Sequence, residues 1–229
     1  VQTTRFTGGH LWRETWYNKE NLIGFKFCGG YYMKTELSPL FSEALNYATE
    51  VHRNQSRKGS GVPYISHLLA VCAIVLEYGG NEIEAIAALL HDAPEDQGGR
   101  ERLAEIRAKF GEPVAAIVAG CTDAWTEPKP PWRRRKEEYL AQLKEASPSV
   151  LLVSVADKLH NSRTILADYH VSGATLWERF AGRREGTLWY YRAIIAVYRQ
   201  TIANPRLVDE LDRVVSELEL LVSKEIDDE

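Results

Sequence analysis

One methionine, three cysteines and no long apolar run: each scarcity narrows what this chain of 229 residues does. No stretch reaches the roughly 18 to 20 apolar residues that a membrane-spanning helix needs, and no basic segment, apolar stretch and small-residue cleavage site follow one another at the N-terminus. A cytoplasmic protein without a membrane partner is expected. Cys28, Cys72 and Cys121 are odd in number, far apart and never in a C-x-x-C pair, which argues against a zinc knuckle, a redox pair or a disulfide framework. Free thiols are expected. Positive charge is not in excess either. Lys and Arg number 28 against 32 Asp and Glu, a formal net charge of −4, so no global field draws in a nucleic-acid polymer. The basic residues cluster at Arg57-Lys58, Arg133-Arg134-Arg135-Lys136 and Arg183-Arg184. That distribution suits a small phosphorylated ligand, the bland alternative for each cluster being a solvated helix face. Strand signals are nearly missing. The best, Val150 to Val155, runs without a breaker into Ala156-Asp157-Lys158-Leu159-His160-Asn161 and is read as the start of a buried helix.

What is present is helical periodicity, from Ser38 onward. Residues 1–36 are aromatic and Gly-rich without sustained periodicity. They are read as an N-terminal extension, either leader sequence or a mis-assigned start, with Met33 the expected native start. Ser38-Pro39 offers a capping hydroxyl and a first-turn proline to a helix through about Gln55. Ser66 is expected to cap a second helix from His67 to about Tyr78, and Asn81 a third with Ile83, Ile86, Ala87 and Leu90 on its buried face. Further helices are expected at about 101–110, 112–122, 132–146, 148–169, 184–203 and 206–224. The fold class is therefore all-α: one multi-helix bundle over 37–203, with 204–229 an amphipathic C-terminal helix packed on the bundle or on a second subunit of a homo-oligomer.

The third helix ends in His91-Asp92-Ala93-Pro94-Glu95-Asp96, a dense polar cluster where a core would have none. Glu95 lies one turn from His91 and can face the same point. His67 stands at a helix start, and Asp157 lies in an apolar segment where an unpaired carboxylate would cost several kcal/mol of desolvation. Two imidazoles and two carboxylates form a donor set of borderline softness, suited to Mn²⁺, Fe²⁺, Co²⁺ or Zn²⁺ with positions left for water.

The order His67, then His91-Asp92, then Asp157 resembles the H…HD…D pattern of the HD superfamily. More narrowly, the chain resembles the hydrolase domain of RelA/SpoT-type enzymes, which remove the 3′-pyrophosphate of the alarmone (p)ppGpp. Four blocks between about residues 38 and 200 carry the resemblance: His52 to Lys58 with the spacing H-x-x-Q-x-R-K, Pro63-Tyr64-Ile65-Ser66-His67, Ala87 to Asp96, and Ala156 to Thr164. It implies one Mn²⁺ bound by His67, His91, Asp92 and Asp157, and Glu95 and Asp96 positioning or deprotonating the attacking water. Arg57 and Lys58 would meet the nucleotide, the guanidinium stacking on the base, while Asn161 and Thr164 hold the ribose or its phosphates. Asn161 and Thr164 lie four and seven residues beyond Asp157, on the same helix face. His52 and His160 are read as hydrogen-bonded structural histidines, and the aromatic residues around Trp189-Tyr190-Tyr191 as core.

The chain departs from the family pattern at Ala93-Pro94, at Leu68 in place of a proline, and at Trp125 to Arg135, which has no placed counterpart. What remains is similar to the stand-alone hydrolases, including the metazoan-type SpoT homologues. The expected function is (p)ppGpp 3′-pyrophosphohydrolysis. The alternatives are phosphatase action on NADPH or another nucleotide with the same site, and a non-catalytic metal- or nucleotide-binding sensor, against which intact Glu95 and Asp96 argue.

Overall fold

The computed structural model describes residues 25–27, 30–32, 35–125, 128–201 and 203–227, in two units, Val1–Lys34 and Thr35–Glu229. In the first, β1 (Phe25–Phe27) pairs antiparallel with β2 (Gly30–Tyr32), Phe25 opposite Tyr32. This ladder lies where no strand was expected, because three residues per strand are too few for an alternation to be read. Met33, the expected start, and Cys28 lie outside the described residues.

The second unit is helical. Its elements are α1 (Pro39–Val51), α2 (Ile65–Glu77), α3 (Glu82–Leu90), the single turn α4 (Ala93–Asp96), α5 (Gly99–Phe110), α6 (Glu112–Cys121), α7 (Trp132–Leu143), α8 (Pro148–Ser172), a 3-10 segment (Gly173–Arg179), α9 (Arg183–Gln200) and α10 (Pro205–Asp227). Three starts follow from side-chain caps. Ser38 accepts from the Leu40 amide, Ser147 accepts from the Val150 amide, and Asn81 forms a reciprocal capping box with Glu84. Val150 to Val155 lies inside α8.

Several elements differ from expectation, among them α7, α8 and α9, whose last residues each lie three positions from the expected end, and three differences have a visible cause. Ser66 does not cap α2. The helix begins at Ile65 with Tyr64 as its cap residue, because the backbone turns two residues earlier, His67 N bonding Tyr64 O at 2.9 Å. α1 stops at Val51, four residues short of Gln55, whose amide instead closes a turn on His52 O at 3.0 Å. The 3-10 segment after α8 has no periodic signature in the sequence, being a single tight stretch closed by the Phe180 amide on Trp177 O.

The 25-residue α8 runs through the core with Val153, Val155, Ala156 and Leu159 buried. Helices α2, α3, α6 and α10 pack against it. The side chains of Ala85, Ala87 and Ala88 keep α3 thin enough to be buried among α1, α2 and α6. α10 buries Leu207, Leu211, Val215 and Leu218 and packs on α8 and α9. Apolar burial holds the assembly together; truncating a core residue such as Leu159 to Ala would cost about 2–5 kcal/mol. Among the described residues no helix is long and apolar enough to cross a membrane. Cys72 and Cys121 are free thiols.

Candidate metal centre

Packing α2, α3 and α8 on one another brings residues from three parts of the sequence to one point. His67 is on the first turn of α2, His91 caps the C-terminus of α3, Asp92 directly precedes α4, and Asp157 lies in mid-α8. Donor atoms of His67, His91 and Asp157 lie within 4.8 Å of one another, all three residues buried. Asp92 adjoins them, its Oδ2 3.3 Å from His67 Nε2 and 3.2 Å from His91 Nε2. Asp157 Oδ1 is 3.2 Å from His67 Nε2 and 3.7 Å from His91 Nε2.

The second nitrogen of each imidazole is already engaged, which fixes what the first can do. His91 Nδ1 lies 2.9 Å from Ala88 O, a group that only accepts, so Nδ1 carries a proton and Nε2 is turned to the carboxylates, a lone pair whenever the ring is neutral. His67 Nδ1 lies 2.7 Å from His160 Nδ1; with His67 as donor, its Nε2 is likewise a lone pair. Both Nε2 atoms are buried without a hydrogen-bond partner. Two lone pairs facing two carboxylates repel unless a positive charge sits between them, so the donor set fits a divalent cation. Burial alone would push the His91 pKa down, yet Asp92 and Asp157 hold it well above its ordinary value. Burial likewise opposes ionisation of Asp157, but Lys158, His67 and His91 keep its carboxyl well below the usual range. The cluster draws positive charge to this point.

Around the centre, each acid has its own neighbour. Tyr64 Oη donates to Asp92 Oδ2 at 2.6 Å, and Asn161 Nδ2 donates to Asp157 Oδ1 at 2.5 Å. Lys158 pairs with the other Asp157 oxygen. Glu95 and Asp96, on α4, are about a quarter exposed or less. Burial, then the charges of Asp123 and Asp92, push the Glu95 carboxyl up to about 7 against the pull of Lys129. Asp96 accepts from Gln55 Nε2 at 2.7 Å. His52 stacks on Tyr64, with centroids 5.1 Å apart, and bonds Gln55 at 2.7 Å.

Beside the centre opens a cavity of about 560 Å³ lined by Arg57, Lys58, Asn161 and Thr164 among others. Arg57 Nη2 donates to Asn161 Oδ1 at 2.7 Å, so Asn161 links the guanidinium to Asp157. Thr164 donates its hydroxyl to His160 O at 3.0 Å. The fold thus gathers all ten residues singled out in the sequence around the cluster or its cavity: four at the donor set, two on the adjoining turn and four on the cavity wall. Tyr64, Gln55, Lys129, Asp123 and Lys158 join them, residues to which the sequence assigns no role. Tyr64, Gln55 and Lys158 stand inside the motif blocks, and that position was the available signal. Lys129 and Asp123 had none.

Residues 44–187 match the HD domain family. The chain is 38% identical over 136 residues to the guanosine-3′,5′-bis(diphosphate) 3′-pyrophosphohydrolase MESH1 of Danio rerio, covering 58% of this chain and 73% of that protein. It is 40% identical over 126 residues to the Mus musculus protein of the same name, covering 54% of this chain and 68% of that one. Among solved structures, one described as "A metazoan ortholog of SpoT hydrolyzes ppGpp and plays a role in starvation responses" superposes with a TM-score of 0.67 at 28% identity, over 80% of this chain and 98% of that chain.

Proposed function

Because the chain belongs to the HD domain family, we propose that this metal-dependent phosphohydrolase removes a phosphoryl or pyrophosphoryl group from a purine nucleotide, with ppGpp as substrate and the 3′-pyrophosphate as the group released. One observation carries the reading: the unpartnered Nε2 atoms of His67 and His91 face Asp92 and Asp157 beside a cavity lined by cations. His67, His91, Asp92 and Asp157 would hold the cation, and Mn²⁺ is the ion we assign to it on the family resemblance, one of several divalent ions that the mixed nitrogen and oxygen set accommodates. When bound, such an ion acidifies a water and offsets negative charge on phosphoryl oxygens.

The chain's own residues do the rest. His160 and the Ala88 carbonyl orient the two imidazoles. Glu95, with its carboxyl near 7, suits proton exchange at neutral pH, because a group whose pKa matches the working pH can both take and return a proton. Asp96, fixed by Gln55, serves as its partner in positioning water. Arg57 and Lys58 bring positive charge to the nucleotide, and Asn161 and Thr164 contact its ribose or phosphates.

The test is phosphate and pyrophosphate release from a nucleotide panel containing ppGpp and NADPH, with Mn²⁺ present. Pyrophosphate from ppGpp is the expected product. Phosphate from NADPH alone would move the assignment to the second substrate, and turnover of nothing by metal-loaded protein would leave a sensor.

A further inference from the structure

The segment that departs from the family pattern, Trp125 to Arg135, contains Trp132, the first residue of α7. Its indole is one wall of the cavity, and Tyr190, Phe180 and Ile165 continue that wall. The opposite composition, Arg57, Lys58 and Lys158, lines the same cavity. Aromatic and cationic side chains thus share one cavity, Lys136 Nζ lying 4.8 Å from the Tyr190 ring centroid, and between them they offer ring surface to a base and positive charge to phosphate.

Two glycines fit the fold only because of this indole. A Cβ on Gly182 would lie 2.7 Å from Trp132 Cη2 and Cζ2, and one on Gly186 3.1 Å from Cζ3. The backbone does not ask for either. Gly182 has φ −77, which any residue adopts, and the left-handed residue of this turn is its neighbour Arg183, φ 51. Gly186 sits inside α9, where glycine is less favourable than alanine. Trp189 and Tyr190 hold the indole edge-on, with centroids 6.3 Å away in each case. The ring is thus seated by four residues of α9 and its approach, and the partly buried side chain lines the cavity.

We infer that Trp132 is the specificity-determining residue on which the purine ring of the substrate stacks. The inference rests on the nucleotide reading above and adds the aromatic surface that selects the base. A stack is sequence-tolerant but grows with ring area, so purines gain more from it than pyrimidines.

Equilibrium binding of GDP and CDP, measured calorimetrically on the intact metal-loaded protein, tests this apart from turnover. Wild type should bind GDP more tightly than CDP. Trp132→Leu, which keeps an apolar side chain and removes the plane, should weaken GDP by about 10-fold, the loss of one stack, and narrow the GDP to CDP ratio. Trp132→Phe should recover most of the difference. Gly182→Ala leaves the indole in the protein and displaces it, so it should weaken GDP in the same sense even if the leucine variant does not fold. GDP binding at wild-type strength by folded Trp132→Leu or Gly182→Ala would overturn the inference, as would no GDP binding by wild type. Tight, Trp132-dependent GDP binding without hydrolysis of any nucleotide would uphold it and remove the catalytic reading instead.

Discussion

Lys129 Nζ lies 3.0 Å from Glu95 Oε1 and 3.7 Å from Asp96 Oδ1. The proline-rich approach to α7 thus places an ammonium on both carboxylates assigned to water activation, while Arg135, 3.8 Å from Glu95, is taken up mainly by Asp123 at 2.5 Å. Burial and the neighbouring acids raise the Glu95 pKa, and Lys129 limits the rise.

A pH dependence follows from that balance. As a base Glu95 works ionised, so kcat should rise as pH increases through about 7 and level off above it. Lys129→Met removes a charge that favours the ionised form, so the limb should move to higher pH. A pH–rate profile that stays in place or moves to lower pH in this variant would contradict the role given to the pair.

Glu95→Gln and Asp96→Asn retain size and hydrogen bonding while removing basicity. At least one should lower kcat by roughly 10²-fold or more with metal content unchanged. Asp96→Asn should be the milder, because Gln55 Nε2 already donates to this side chain and its partner remains. Wild-type turnover in both would end the proposal that these two carboxylates activate water.

Much of this site was legible in sequence for a definite reason. Histidines and carboxylates set in apolar helical segments, as at His91-Asp92 and Asp157, violate the local pattern and are conspicuous for it. Helix starts at Ser38 and Asn81 are readable because a cap and its amide lie two or three residues apart. What joins distant residues was not readable. Tyr64 meets Asp92 across 28 positions, Lys129 meets Glu95 across 34, and Trp132 meets Gly182 from a different helix. Periodicity reports which face of a helix is buried and says nothing of what the tertiary fold sets against it. The start of α2 differs from expectation for a related reason, since a turn made by the backbone at Pro63-Tyr64 leaves no capping side chain to find.

Metal removal should be visible in stability as well as in content. Purified protein should hold about one divalent ion per chain, and His91→Ala or Asp157→Ala should lose it, each removing a donor from a small set. A chelator should lower the Tm of wild type, because a ligand that binds only the folded state stabilises it by mass action, and should leave the Tm of His91→Ala nearly unmoved. Elemental analysis and calorimetry read the two effects separately. Full occupancy in both variants would refute the donor set.

Arg57 tests how the nucleotide is held. Its guanidinium is not spent on a surface acid: it donates to Asn161, lies 5.8 Å from the Tyr64 ring centroid and faces the cavity. Arg57→Ala should then chiefly raise KM, about 10-fold for each 1.4 kcal/mol of binding free energy that the guanidinium supplies, with metal retained. Because Asn161 also donates to Asp157, Asn161→Ala touches both the cation and the nucleotide, and should lower metal affinity as well as raise KM. The double variant should therefore cost less than the sum of the two single changes, since both remove the same Arg57–Asn161 bond. Strict additivity, with KM unchanged by Arg57→Ala, would mean that the bond orders the cavity wall and takes no part in holding the substrate.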